Sequence, residues 1–316
     1  MGLLSSLFGG NKPSENQQEK KDKKNFEILK YDGIRARSMR QLSYATKCLE
    51  QATAIREDEE TLLYLAHAYA ESGRTDDARI TLDRLTTLAP NNLEALLTLA
   101  QVCFVQEDYE GMNDACRKAI AINEHSTVAY YLAAKAARGL KNDLQAIVML
   151  TKAIAQEDKY SAALQLRAEV LWEMGQAKDA SDDVEKILEQ NADDEDALLL
   201  KAQIQTALGN TDEALSLLDK VAELNPFNDK TYLNKGALLC ELKKFDEAYD
   251  VYTEAIELMP QNAKLYQERG RVRLLKGDKE GSIEDMKKAI ELNPESETQI
   301  NGSFDNFGRN SATGIY

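Results

Sequence analysis

Two histidines, His67 and His125, and four cysteines, Cys48, Cys103, Cys116 and Cys240, are the chain's whole stock of imidazole and thiol groups. Their spacing supports little chemistry. No Cys-x-x-Cys pair or neighbouring histidine forms a zinc or redox motif, and there is no phosphate-cradling glycine loop and no His-Glu-x-x-His. Carboxylates are plentiful but spread as solvated surface, without a motif that would pair them for acid–base work. The expectation is a chain with no catalytic residue, no metal and no cofactor. Its cysteines would be buried free thiols, which suits a reducing, cytoplasmic compartment.

Binding chemistry is spaced more regularly. Phe104, Arg138 and Trp172 stand 34 residues apart, and Tyr131, Lys135 and Arg138 fall at i, i+4 and i+7, on one face of a helix. Aromatic rings alternating with ammonium and guanidinium groups suit a partner carrying carboxylates and apolar side chains. His67 joins these as a candidate binding residue. The same residues admit a structural alternative, with Phe104 and Trp172 packed as core and Arg138 paired with Glu169 or Glu173.

The elements that must position them follow from a period. Pro90, Pro226, Pro260 and Pro294 are 136, 34 and 34 residues apart, and 136 is four times 34. Gly73, Gly175, Gly209 and Gly277 are separated by 102, 34 and 68, and Ala78, Ala146, Ala180, Ala214 and Ala248 by 68, 34, 34 and 34. A fixed stride of this length marks stacked repeats. Within a unit, Tyr232, Leu233, Gly236, Leu239 and Leu242, then Ala248, Val251, Tyr252, Ala255 and Ile256, recur at three and four residues, which predicts two amphipathic helices. Glycine between them supplies the turn, and the Thr or Asp after it is expected to cap the second helix. Ala66, Ala100, Ala134, Ala168, Ala202, Gly236 and Gly270 form a small-residue column on the first helix, read as the place where a helix pair approaches its neighbour.

Leu62, Leu65, Ala66, Tyr69, Ala78, Leu82 and Pro90 in one unit, and Tyr232, Gly236, Leu239, Ala248, Tyr252, Ala255 and Pro260 in another, resemble the tetratricopeptide repeat family. Eight units fit in phase, over 26–58, 59–92, 93–126, 127–160, 161–194, 195–228, 229–262 and 263–296. The resemblance implies an all-α, right-handed α-α superhelical solenoid of about eight helix-turn-helix units. It also implies a non-enzymatic scaffold or adaptor whose first helices line a concave groove for a peptide or protein segment. Family members that hold the acidic C-terminus of heat-shock chaperones use Lys and Asn on successive first helices. Here Lys30, Ile34, Leu63, His67, Leu97 and Gln101 stand there, so that clamp is not matched.

Residues 1–25, MGLLSSLFGGNKPSENQQEKKDKKN, read as a disordered leader. Its start formally fits a myristoylation pattern, with Lys20, Lys21, Lys23 and Lys24 as a second membrane signal, so residues 1–10 offer an alternative membrane contact. Residues 297–316 read as a flexible tail, or as an irregular cap through Ile300, Phe304 and Phe307. Either terminus could serve a self-assembling or membrane-associated alternative function, and the oligomeric state is not fixed. The net charge of −15 argues against nucleic acid as a partner.

Overall fold

The computed structural model describes residues 15–294. Among these, every regular element is an α-helix, sixteen in all, packed in sequential pairs as about eight helix-turn-helix units of a tetratricopeptide-like solenoid. The first helices are α1 (Glu15–Ser38), α3 (Glu59–Glu71), α5 (Leu93–Val105), α7 (Thr127–Gly139), α9 (Ser161–Glu173), α11 (Glu195–Ala207), α13 (Asp229–Glu241) and α15 (Ala263–Leu275). The second helices are α2 (Leu42–Ile55), α4 (Thr75–Leu88), α6 (Tyr109–Ile122), α8 (Asp143–Gln156), α10 (Ala177–Gln190), α12 (Thr211–Leu224), α14 (Phe245–Leu258) and α16 (Lys279–Leu292). The chain falls into two compact units, one ending at Ala163 and one beginning at Leu164, each considered by itself. Among the described residues no helix is long and apolar enough to cross a membrane.

Local chemistry sets the helix ends. Asp58, Asn92, Ser126 and Asp194 each accept, through a side-chain oxygen, the amide three residues on, at 2.8 to 3.2 Å, and so open α3, α5, α7 and α11. Inside the units Asp108, Asn142 and Asp278 open α6, α8 and α16 in the same way, as expected for the Asp after Gly277, but the expected Thr caps are corrected. Thr75 and Thr211 are already the first helical residues, and the caps before them, Arg74 and Asn210, make no side-chain cap bond. Closure comes from the backbone, with the Arg74 amide donating to the Tyr69 carbonyl and the Asn210 amide to the Gln205 carbonyl, both at 2.9 Å.

That closure needs a left-handed residue. Gly73, Gly175, Gly209 and Gly277 supply it at φ of 75 to 87°, but in the other units Arg40, Glu107, Lys141 and Lys243 hold φ of 56 to 59°. A side chain there costs about 1 kcal/mol, partly offset by the extra freedom glycine gives the unfolded chain. Glu107→Gly and Lys243→Gly are therefore each expected to raise stability by about 0.5 kcal/mol, read from the urea midpoint at unchanged slope. A lower midpoint in both would remove this account of the turn.

The small-residue column faces a different neighbour from the one expected. It packs on the second helix of its own unit, sixteen residues on, where a Cβ added at Gly236 would strike the Tyr252 ring and one at Gly270 would press on the Met286 side chain at 3.2 Å. Where the second helix carries Leu82, Cys116, Leu150 or Leu218, all 0 or 1% exposed, the column holds alanine; where it carries Tyr252, it holds glycine. The contact volume is conserved by size exchange, as close packing requires.

Two hairpins of the second compact unit bury a charge pair instead. Arg167 Nε and Nη2 reach the two oxygens of Asp183, both at 2.7 Å, and Arg269 reaches Asp285 at 2.9 and 2.7 Å. The Asp side chains are 2% and 5% exposed.

The N-terminal expectation is corrected in part. Residues 15–25, assigned to a disordered leader, are the first turns of α1. They contain neither Gly nor Pro, and Gln, Glu and Lys are good helix formers that continue into a packed helix, whose first buried side chain is Phe26. Residues 1–14 and 295–316, including Ile300, Phe304 and Phe307, lie outside the described residues.

Candidate peptide-binding face

Three first helices of the first compact unit carry most of the candidate residues: His67 on α3, Phe104 on α5, and Tyr131, Lys135 and Arg138 on α7. Trp172 is half-buried on α9, in the second compact unit.

The structure brings Phe104, Lys135 and Tyr131 together. The Lys135 ammonium lies 3.7 Å from the centre of the Phe104 ring and 5.9 Å from that of Tyr131. Both rings are held from behind, Phe104 edge-on to Tyr109 with centroids 6.3 Å apart, and Tyr131 edge-on to Tyr160 at 5.5 Å. Phe104 remains 36% exposed, so it is a surface rung and not core. Lys135 meets no carboxylate among the described residues, and burial alone pulls its pKa below the ordinary lysine value. The ammonium thus stands over two ring faces with no counter-charge among the described residues.

His67 does different work. The Thr98 hydroxyl donates to the Glu94 carbonyl at 2.8 Å, so its oxygen is left to accept from His67 Nε2 at 3.1 Å. Burial, then the nearby Arg37 charge, hold the imidazole below its ordinary pKa, which favours the neutral ring. It borders a pocket of about 390 Å³ shared with Arg37, Glu71, Gln101 and Val105. Arg37 closes one side by donating from Nε and Nη2 to Glu71 Oε1, at 3.0 and 2.6 Å.

Neighbouring first helices thus meet along a diagonal of 31 residues, His67 with Thr98 and Phe104 with Lys135. The sequence reading followed the 34-residue column and missed Thr98, Tyr109 and Tyr160. The diagonal, one helical turn less than the period, would have found the first of them.

Three family models match: the psidin N-terminal tetratricopeptide repeats region over residues 169–269, and two tetratricopeptide repeat models over 59–102 and 263–296. A solved tetratricopeptide repeat protein from Parabacteroides merdae superposes with a TM-score of 0.63 at 20% identity, over 77% of this chain and 96% of its own. The chain belongs to the tetratricopeptide repeat family. PilF of Pseudomonas aeruginosa (TM-score 0.57, 14% identity, 70% of this chain and 99% of its own) and a MamA fragment from Desulfovibrio magneticus (0.50, 19%, 52% and 94%) share the fold. At such identities they speak for the fold alone, and no curated protein sequence matches.

In this tetratricopeptide protein the chaperone-clamp position is closed. Lys30 is 7% exposed and its ammonium lies 2.5 Å from Glu60 and 3.6 Å from Asp58, so its charge is answered inside the chain. The thiols are packing groups: Cys48, Cys103 and Cys116 are buried, and burial pushes the last two up to about 11 and about 12.

Proposed function

We propose that this protein is a non-enzymatic adaptor that binds a peptide or protein segment on the first-helix face of its first compact unit. The ligand's carboxylate would sit at Lys135 and its apolar neighbours against Phe104 and Tyr131. The observation that carries this reading is the Lys135 ammonium, stacked on an exposed ring and meeting no carboxylate among the described residues. The His67 pocket extends the face by one helix, and the Gln101 amide gives it a hydrogen-bonding group next to apolar Val105. Tetratricopeptide repeats are in general protein–protein interaction modules, which agrees with this use. A reducing cytoplasm suits three buried free thiols.

Affinity capture with the wild-type chain beside Lys135→Glu tests the reading. Reversing a partly buried anchor charge is expected to weaken the specific partner by about thirtyfold, equivalent to about 2 kcal/mol. Phe104→Ala should weaken it by about tenfold. Lys152→Glu, on the second-helix side, should leave it unchanged. Identical binding by wild type and Lys135→Glu, with both chains melting at the same temperature, would refute the site.

A further inference from the structure

A cavity of about 650 Å³ opens where the turn of the first hairpin, between α1 and α2, meets α3. The Arg37–Glu71 ion pair borders both this cavity and the His67 pocket, and so stands between them. The cavity is therefore bounded on that side and is not a stretch of through-going groove. Its volume falls in the range of small-molecule sites, roughly 300 to 1,000 Å³.

The lining has an apolar wall and a cationic edge. Ile34, Leu42 and the Tyr64 ring, all half-buried, make the wall. Arg37 and Arg40 make the edge, two guanidinium groups against the one carboxylate of Glu71, in a chain whose net charge is −15. Arg37 is held in place, since Nε and Nη2 donate to Glu71 Oε1 and the guanidinium carbon lies 5.7 Å from the centre of the Tyr64 ring. Its third nitrogen, Nη1, donates to no group among the described residues. Arg40 is exposed and meets no carboxylate among them. The Ser38 hydroxyl spends its proton on the Arg35 carbonyl, at 2.7 Å, so the donors left for an anion are chiefly guanidinium N–H groups. A guanidinium fixed with one nitrogen to spare, and a second without a counter-charge, suit a single carboxylate. A dianion would set its second charge against Glu71. The wall beside them asks for an apolar body on the same molecule.

We propose that this cavity binds a small monocarboxylic acid, its carboxylate on Arg37 and Arg40 and its apolar body against Ile34, Leu42 and Tyr64. The inference is independent of what the Lys135 face binds.

Titration of the full, isotope-labelled chain with phenylbutyrate, followed by NMR, tests it. The expected result is saturable shifts at Ile34, Leu42 and Tyr64 with a Kd on the order of 1 mM, which is what a ligand of this size reaches at ordinary efficiency. The neutral amide of the same acid should bind about tenfold more weakly. Arg40→Gly should weaken the acid about fivefold. Because glycine suits the backbone there, at φ of 58°, that variant should melt no lower than wild type, and loss of fold cannot imitate loss of binding. Lys152→Glu, on α8, should leave binding unchanged. No saturable shift at about 10 mM acid overturns the proposal. So does equal binding of acid and amide, or unchanged binding by Arg40→Gly. A peptide ending in a free leucine carboxylate that binds where the acid does not would also overturn it, and would make the cavity part of a peptide site.

Discussion

Gly236→Ala is expected to cost this protein about 3 kcal/mol, and adding Tyr252→Leu to the same chain to return most of that loss. The added methyl meets the Tyr252 ring, and the ring has little room to turn, being 2% exposed between α13 and α14. Tyr252→Leu alone should cost about 2 kcal/mol, because it removes aromatic volume and leaves a gap opposite a glycine. Together the two changes rebuild the Ala134–Leu150 and Ala202–Leu218 contacts of other units, whose four side chains are 0 or 1% exposed. Urea unfolding of the four chains gives the coupling directly, and additive losses would contradict the size-exchange account of the column.

The second large effect is expected at the last hairpin. Asp285→Ala leaves the Arg269 guanidinium without the only carboxylate it meets among the described residues, in a place where its side chain is 13% exposed, and should destabilise the hairpin by about 3 kcal/mol. Arg273 is affected less, since it also donates to the Gly281 carbonyl at 2.8 Å. Arg269→Leu with Asp285→Ala should recover most of the loss, because α5 and α6 solve the same contact with Leu99 and Ala115. Repeat arrays couple mainly to nearest neighbours, so the loss is local. Hydrogen exchange across 263–292 is the measurement that resolves it. Protection unchanged in Asp285→Ala would show that the pair contributes nothing to the hairpin.

Much of this architecture was legible in advance from where Pro, Gly and Ala fall. Helices α3 to α16 start at a constant stride because each unit repeats the same short-range solution: a polar cap, an amphipathic turn count and a left-handed exit. The four exits lacking glycine were less visible, since lysine, arginine and glutamate pass for ordinary surface residues until the backbone shows positive φ. The helical start of α1 was hidden for a related reason. Its composition has no apolar period, and its order comes from helix propensity and from continuity with Phe26.

The binding face was half legible. The sequence placed Tyr131, Lys135 and Arg138 on one helix face, but it could not show that Lys135 stacks on Phe104, a side chain of the preceding first helix. Nor did it single out Arg167 with Asp183 and Arg269 with Asp285, although each pair is separated by sixteen residues and the two pairs by three periods.

What the sequence by itself determined is the repeating unit: helix, left-handed turn, helix, at a stride of 34 residues. Those features rest on interactions within a few residues along the chain, where spacing and distance are nearly the same thing. Tertiary structure alone decided what the first helices touch: α13 meets its own second helix sixteen residues on, and α3 and α5 each meet the next first helix 31 residues on. Crossing of packed helices offsets each contact by a turn, and a one-dimensional period holds no record of that offset.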